Sequence, residues 1–218
     1  MKTKMICFIG LDGSGKSTSI DFVYENLKKE GKRVKIVRAA YVAKVSRFFI
    51  KLGKKILMKK NSNEYKNYDE YLKELRKKGN NGFVYQIFSF LTTFEFKIQI
   101  FFKIRLNRLF GYNLLVDRYI YDNVVTYAAN LGLGDEYMKK NLEKKWKRSP
   151  KPDLIIYVKT PVDICFSRKD DTPSLLYLQL REPLYDSISQ MYCARIIDGS
   201  ISKKEMLDEV IDVVHSVI

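Results

Sequence analysis

The chain is poor in the residues that build metal centres and disulfide frameworks. His215 is its only histidine, and the three cysteines, Cys7, Cys165 and Cys193, stand singly in apolar stretches. No metal-ligand spacing exists, and the thiols read as reduced packing residues of an intracellular protein. No Pro/Gly/Ser-rich linker divides the 218 residues, so one domain with insertions is expected. Long apolar runs are also missing. The amino-terminal "MKTKMICFIGLDG" breaks its run too early for a signal peptide or a membrane span. The most apolar stretch, "FVYQIFSFLTTFEFKIQIFFKIRL" (83–106), is interrupted by Glu95, Lys97, Lys103 and Arg105. Charges near the middle of a span are expensive, so this stretch reads as a long buried or dimer-forming helix, and a cytoplasmic protein is expected. Acidic residues are the last shortage: 25 against 40 lysines and arginines, a net charge of +15. Anionic partners are expected, though no specific nucleic-acid partner.

What is present alternates in the manner of a parallel sheet with crossover helices. The strand candidates are "KMICFI" (4–9), "RVKIVR" (33–38), "NLLVD" (113–117), "DLIIYV" (153–158) and "ARIID" (194–198). Residues 18–30 carry Ile20, Phe22, Val23 and Leu27 at helical spacing and stop before Gly31, a left-handed cap candidate. Ser202 with Glu205 forms a capping box ahead of a terminal helix.

"GLDGSGKST" (10–18) lies between the first strand and the first helix. Gly10-x-x-x-x-Gly15-Lys16-Ser17 fits a phosphate-binding loop. Backbone N–H groups of such a loop and of the following helical turn converge on an anion. Glycines let the backbone approach the phosphate, Lys16 brings a positive charge and Ser17 a hydroxyl for Mg²⁺. The competing reading is a flexible turn. In "LLVDRYIYDN" (114–123), Asp117 ends a strand where a carboxylate reaches a metal through water or holds Ser17. Arg118 follows at the ligand-binding edge of the sheet, where its fork suits a second phosphate. An internal Asp/Arg ion pair capping the strand is the alternative there.

"FIGLDGSGKST", "VDRY", "KPDLIIYV" and "IIDGSISKKEMLDEVI" occur in the order and spacing of the thymidylate kinase family, which the chain resembles from residue 4 to its end, with 41–82 poorly matched. The resemblance implies a three-layer α/β P-loop NTPase fold with a five-stranded parallel sheet flanked by helices and a short lid. The core would comprise about 4–40 and 83–218, with 41–82 as an insertion and 167–176 as the lid. It implies ATP and Mg²⁺ as cofactors, a nucleoside monophosphate acceptor, dTMP foremost, and a homodimer. ATP would be held by Gly10, Asp12, Gly13, Ser14, Gly15, Lys16, Ser17 and Thr18, with Gly199 and Ser200 at the adenine. Ser17 and Asp117 would hold the metal. Lys16, Asp12, Arg118 and the lid residue Arg168, with Lys169 beside it, would serve transfer. The acceptor would meet Asp12, Arg38, Arg118, Tyr119, Thr126 and Tyr127.

The chain departs from the family pattern after its second strand, where "VRAAYV" replaces Arg-Glu-Pro. "REP" at 181–183 reads as coincidence. "TTFEFKI" stands where an acceptor arginine is usual, with Lys97 the nearest cation. The acceptor therefore stays open between dTMP and another nucleotide or small metabolite. A membrane-associated nucleotide-dependent switch with no small-molecule acceptor is the third alternative, although no Asn-Lys-x-Asp guanine motif occurs. Placed on a helix, "YVAKVSRFFIKLGKKILMKK" (41–60) would put Val42, Val45, Phe48, Phe49, Leu52 and Ile56 on one face and Lys44, Arg47, Lys51, Lys54 and Lys55 on the other. It reads as a helix over the core, with docking on an anionic membrane surface as the alternative. "NSNEYKNYDEYLKELRKKGNNG" (61–82) reads as a mobile excursion.

Overall fold

The computed structural model describes residues 3–44, 47, 68–78 and 82–218. Five short apolar runs become strands: β1 (Met5–Ile9), β2 (Val34–Arg38), β3 (Asn113–Asp117), β4 (Leu154–Lys159) and β5 (Arg195–Asp198). They form one parallel sheet in the order β2-β3-β1-β4-β5. This is the α/β sheet expected from the sequence. Successive side chains of a strand point to opposite faces, and a parallel strand covered on both sides needs apolar residues at every position. β1 obeys this: Met5, Cys7 and Ile9 enter one core, and Ile6 and Phe8 the other.

The second core is closed by α1 (Lys16–Lys29) and α10 (Lys203–His215). Their stripes, Ile20, Val23 and Leu27 against Met206, Val210 and Val214, meet over Phe8 and Ile156. α10 begins with the expected capping box, in which Glu205 N–H donates to Ser202 Oγ. Gly31, just past α1, has φ +75°.

The first core takes residues from α3 (Gly82–Ile100), α5 (Ile120–Leu131), α6 (Asp135–Lys144), α7 (Val162–Ser167), α8 (Leu175–Gln179) and α9 (Glu182–Met191), with α2 (Tyr68–Lys78) packed on α5 and the short α4 (Leu106–Leu109) at the periphery. α3 runs through a π-helical turn, Phe101–Arg105, into α4. The extra residue in that turn shifts the apolar stripe, so Phe96, Ile100 and Ile104 are buried while Phe90, Phe94, Ile98, Phe101, Phe102 and Leu109 face solvent. The described side chains of this stretch, 89–106, are therefore only partly buried. No helix among the described residues is long and apolar enough to cross a membrane.

Two expectations need correction. Residues 61–82 are not simply an excursion, because 68–78 is helix α2, with Leu72 buried and Arg76 donating to the carbonyls of Ala129 and Asn130 at the end of α5. The tyrosines and leucines at 68, 71, 72 and 75 follow a helical period that the polar surroundings obscured. The helix drawn over 41–60 does not begin where expected. Residues 41–44 are irregular and strapped to α3, where Glu95 accepts from Tyr41 Oη at 3.0 Å and from Lys44 N–H at 2.8 Å. Gln99 exchanges two hydrogen bonds with the Val42 backbone. Most of 45–60, including the basic face proposed for a membrane surface, lies outside the described residues.

Candidate active site

In the strand order β2-β3-β1-β4-β5 the chain passes from one side of the sheet to the other at β1, so the loop after β1 occupies the switch point where open α/β sheets bind ligands. That loop is 10–15. Gly15, φ +101°, is the N-cap of α1, and no side chain caps the first turn or places an acid there. The leading N–H groups of the helix therefore face the cleft with the positive end of its dipole. Gly13 has φ +85°, and a Cβ there would collide with the carbonyl oxygen of Cys165 on α7. Only glycine lets loop and α7 approach so closely. Gly199, after β5, is similarly confined: a Cβ would lie 2.6 Å from the Ser14 carbonyl oxygen.

The loop floors a cleft of about 710 Å³. Asp12, Gly13, Ser14, Gly15, Lys16, Ser17 and Thr18 line it, together with Arg38 and Asp117 from adjacent strand ends, Arg118, Arg168 and Lys169, and Gly199. With Lys203, six cations surround two carboxylates there. Such an excess focuses field on an anionic ligand.

Lys16 is buried, and its Nζ donates back to the Leu11 carbonyl and, at 3.4 Å, to Ser14 Oγ. Burial, then the nearby Arg118 guanidinium, push its pKa down to about 8 against the pull of Asp12, Asp122 and Asp117. Asp12 accepts from Arg118 through Oδ1 and from Tyr177 Oη, at 3.3 Å, through Oδ2. Burial pushes its carboxyl up, but Arg118, Lys16 and Lys169 together outweigh that and hold it below the usual carboxylate range.

Arg118 owes its aim to its neighbours. Its φ of 58° is left-handed, uncommon for a residue with a Cβ. It directly precedes α5, whose first turn is fixed by Asp122 Oδ2 accepting from Tyr119 N–H at 2.9 Å. The other oxygen of Asp122 lies 4.0 Å from Arg118 Nη1 and accepts from Tyr185 Oη at 2.7 Å. Asp122 is buried, and burial raises its pKa despite these partners. Its part in holding Arg118 escaped the sequence reading. The i,i+4 spacing was available as a signal, but Tyr185 could come only from the fold.

Arg38 and Asp117 are register partners on β2 and β3, and Arg38 Nε lies 3.2 Å from Asp117 Oδ2. The Arg38 side chain is 76% exposed and free to swing. Arg168 Nη1 donates to the Gly199 carbonyl at 3.0 Å, and Lys169 stands 4.0 Å from Asp12. Ser200 donates to Asp198 by both its backbone N–H and its hydroxyl.

Three of the expected acceptor residues are not brought to this cleft. The Tyr119 ring is fully buried and its hydroxyl donates to the Pro150 carbonyl at 2.8 Å, so it is a core residue. Tyr127 faces a separate cavity of about 20 Å³ against Thr92, Asn141 and Trp146. Thr126, one residue earlier on α5, lines neither. Gly10 sits behind the loop, its Cα facing the Val158 carbonyl.

Ser17 and Asp117 both line the cleft and offer oxygen donors, the type that suits a hard divalent cation such as Mg²⁺. No cluster of three or more His, Cys, Asp or Glu side chains that could hold a metal occurs among the described residues.

No family model matches the chain. Two curated proteins align with it over nearly its whole length. The probable thymidylate kinase 1 of Saccharolobus solfataricus is 24% identical over 218 residues, covering 97% of this chain and 97% of that protein. The probable thymidylate kinase of Sulfurisphaera tokodaii is 23% identical over 221 residues, covering 99% of this chain and 97% of that protein.

Proposed function

We propose that the protein is a nucleoside monophosphate kinase that transfers the γ-phosphoryl group of ATP to the phosphate of a nucleotide, dTMP foremost. The observation that carries this reading is the presence, in one cleft, of a phosphate-loop helix terminus and a second cation set, Arg38 and Arg118. The similarity to two proteins named probable thymidylate kinases supports it.

Lys16 and the amides of 12–18 hold the ATP phosphates, and Gly199 flanks the adenine with Ile201 and Met206 as an apolar wall, while Ser200, bonded to Asp198, fixes the turn that follows β5. Arg118 leaves Asp12 to clamp the acceptor phosphate, and Arg38 leaves Asp117 to assist. Asp12 is then free to accept from the acceptor's sugar. Arg168 and Lys169, on the 167–176 lid, close over the transferring group. In the transfer an oxygen of the acceptor phosphate bonds to the γ-phosphorus as the β–γ bridging bond breaks, leaving ADP. No general base is required, because the attacking oxygen is already anionic; positioning and positive charge supply the acceleration. Mg²⁺, held by Ser17 and Asp117, supplies further charge neutralisation on the phosphates when bound.

The exposed stripe Phe90, Phe94, Ile98, Phe102 and Leu109 supports a homodimer built on α3 and α4, since monomers seldom leave so long an apolar row in water. Tyr127, apart from the cleft, keeps other acceptor bases in view. The test is ATP consumption by the purified protein against dTMP, dUMP, UMP, CMP, AMP and GMP, with a no-acceptor control. Preference for dTMP supports the reading in full. Preference for another nucleotide corrects the acceptor, and turnover with none refutes the kinase reading.

A further inference from the structure

Behind the Asp12–Arg118 pair lies a chain of hydrogen bonds that reaches an element far from the phosphate loop. Tyr177, on α8, donates its hydroxyl to Asp12 Oδ2. The face of the same ring carries the Arg181 guanidinium, whose Cζ lies 3.6 Å from the ring centroid. Arg181 is 4% exposed. Its Nη1 donates to the Tyr177 carbonyl at 2.8 Å and to Tyr68 Oη at 3.2 Å, and its Nη2 donates to Asn130 Oδ1 at 3.0 Å. Its Nε has no partner among the described residues. Tyr68 donates in turn to Asn130 Oδ1 at 2.9 Å, and its ring meets that of Tyr177 edge-on, 5.5 Å between centroids.

A guanidinium buried among neutral oxygens, with one donor unmade, is an expensive arrangement that an apolar side chain would avoid. What it supplies is geometry. The planar fork fixes three elements at once: the first residue of α2, the carboxyl end of α5, and α8. The Asp12 carboxylate is gripped from two sides, by Arg118 on Oδ1 and by Tyr177 on Oδ2. When Arg118 turns to an incoming anion, the Tyr177 hydroxyl is what keeps Asp12 in place.

We infer that Arg181 is a positioning residue: by clamping Tyr68, Asn130 and Tyr177 into one arrangement it sets, through the Tyr177 hydroxyl, the orientation of Asp12 on the acceptor side of the cleft. Docking of α2 is thereby communicated to the phosphate loop. The effect on turnover rests on the kinase reading above; the effect on the loop does not.

The decisive variants remove single hydroxyls. Tyr68→Phe, which touches neither Asp12 nor the cleft, removes the bond to Asn130 and the one accepted from the Arg181 guanidinium, and raises the acceptor KM about fivefold with the ATP KM unchanged. Tyr177→Phe does the same, and the double variant is no worse than Tyr177→Phe alone, because both cut one chain. Independent, multiplying effects, or an equal rise in both KM values, overturn the proposal. Hydrogen exchange supplies a readout that needs no substrate. In Tyr68→Phe and in Arg181→Lys, amides of 10–16 exchange faster while those of β5 do not change. Unchanged exchange across 10–16 in both variants refutes the clamp. If the wild-type protein phosphorylates no nucleotide, the kinase reading falls and the exchange result still decides the clamp.

Discussion

Lys16 gives the sharpest quantitative test of the cleft. In the ligand-free cleft, burial and then Arg118 lower its pKa to about 8 from an ordinary value of 10.5. Above pH 8 the ammonium therefore loses its proton in the free protein. Polyphosphate bound against it favours the charged form and restores the higher value, so above pH 8 binding must take up a proton. With the bound pKa back near its ordinary value, ATP affinity falls about 25-fold between about pH 7 and pH 9.5, approaching tenfold per pH unit. The nucleotide's own phosphates no longer titrate in that range. Isothermal titration calorimetry in buffers of differing ionisation enthalpy reads both the affinity and the proton uptake. Lys16→Met binds more weakly and with a flat profile. A wild-type affinity that is constant from pH 7 to 9.5, or the same slope in Lys16→Met, refutes the assignment of Lys16 to the phosphates. The linked stability effect has the opposite sense. The unfolded chain binds the extra proton between the two pKa values, so the ligand-free protein gains stability as pH rises from about 8 towards 10.5, and the cost of burying the ammonium is fully present below that window.

Arg118→Ala removes a charged clamp worth about 2–3 kcal/mol, so kcat/KM for the acceptor falls about 30- to 150-fold while ATP affinity measured by calorimetry changes little. Equal losses on both substrates count against the acceptor role. Gly13→Ala combines a left-handed φ with a collision at the Cys165 carbonyl and lowers stability by at least about 2 kcal/mol, read as a drop in the thermal midpoint; a midpoint equal to wild type contradicts the tight loop-to-α7 packing. Phe94→Asp, in the exposed α3 row, converts the proposed dimer to monomer in sedimentation velocity without loss of helical circular dichroism, and a wild-type protein that is already monomeric removes the proposed interface.

Local sequence determined much of this protein because its elements satisfy local rules. β1 must be apolar on both faces, and "MICFI" is. A glycine loop between a strand and a helix must expose its amides, and 10–17 does. The capping box at Ser202 and the strand boundaries near Arg38 and Asp117 were legible for the same reason: each depends on neighbours within a few residues. α2 was missed because its helical row is thin among charges and takes its stability from Leu72 and Arg76 packing on α5. Tyr119 and Tyr127 point away from the cleft, because adjacency in sequence to Arg118 does not set which face of α5 meets it. The two grips on Asp12, the Asp122–Tyr185 support of Arg118 and the Arg181 clamp join residues 51 to 165 positions apart. No periodicity encodes such pairs. They exist because the sheet order brings β1, β3 and the chain after β4 to one edge, and the burial there makes each unmatched charge expensive enough to fix its partner.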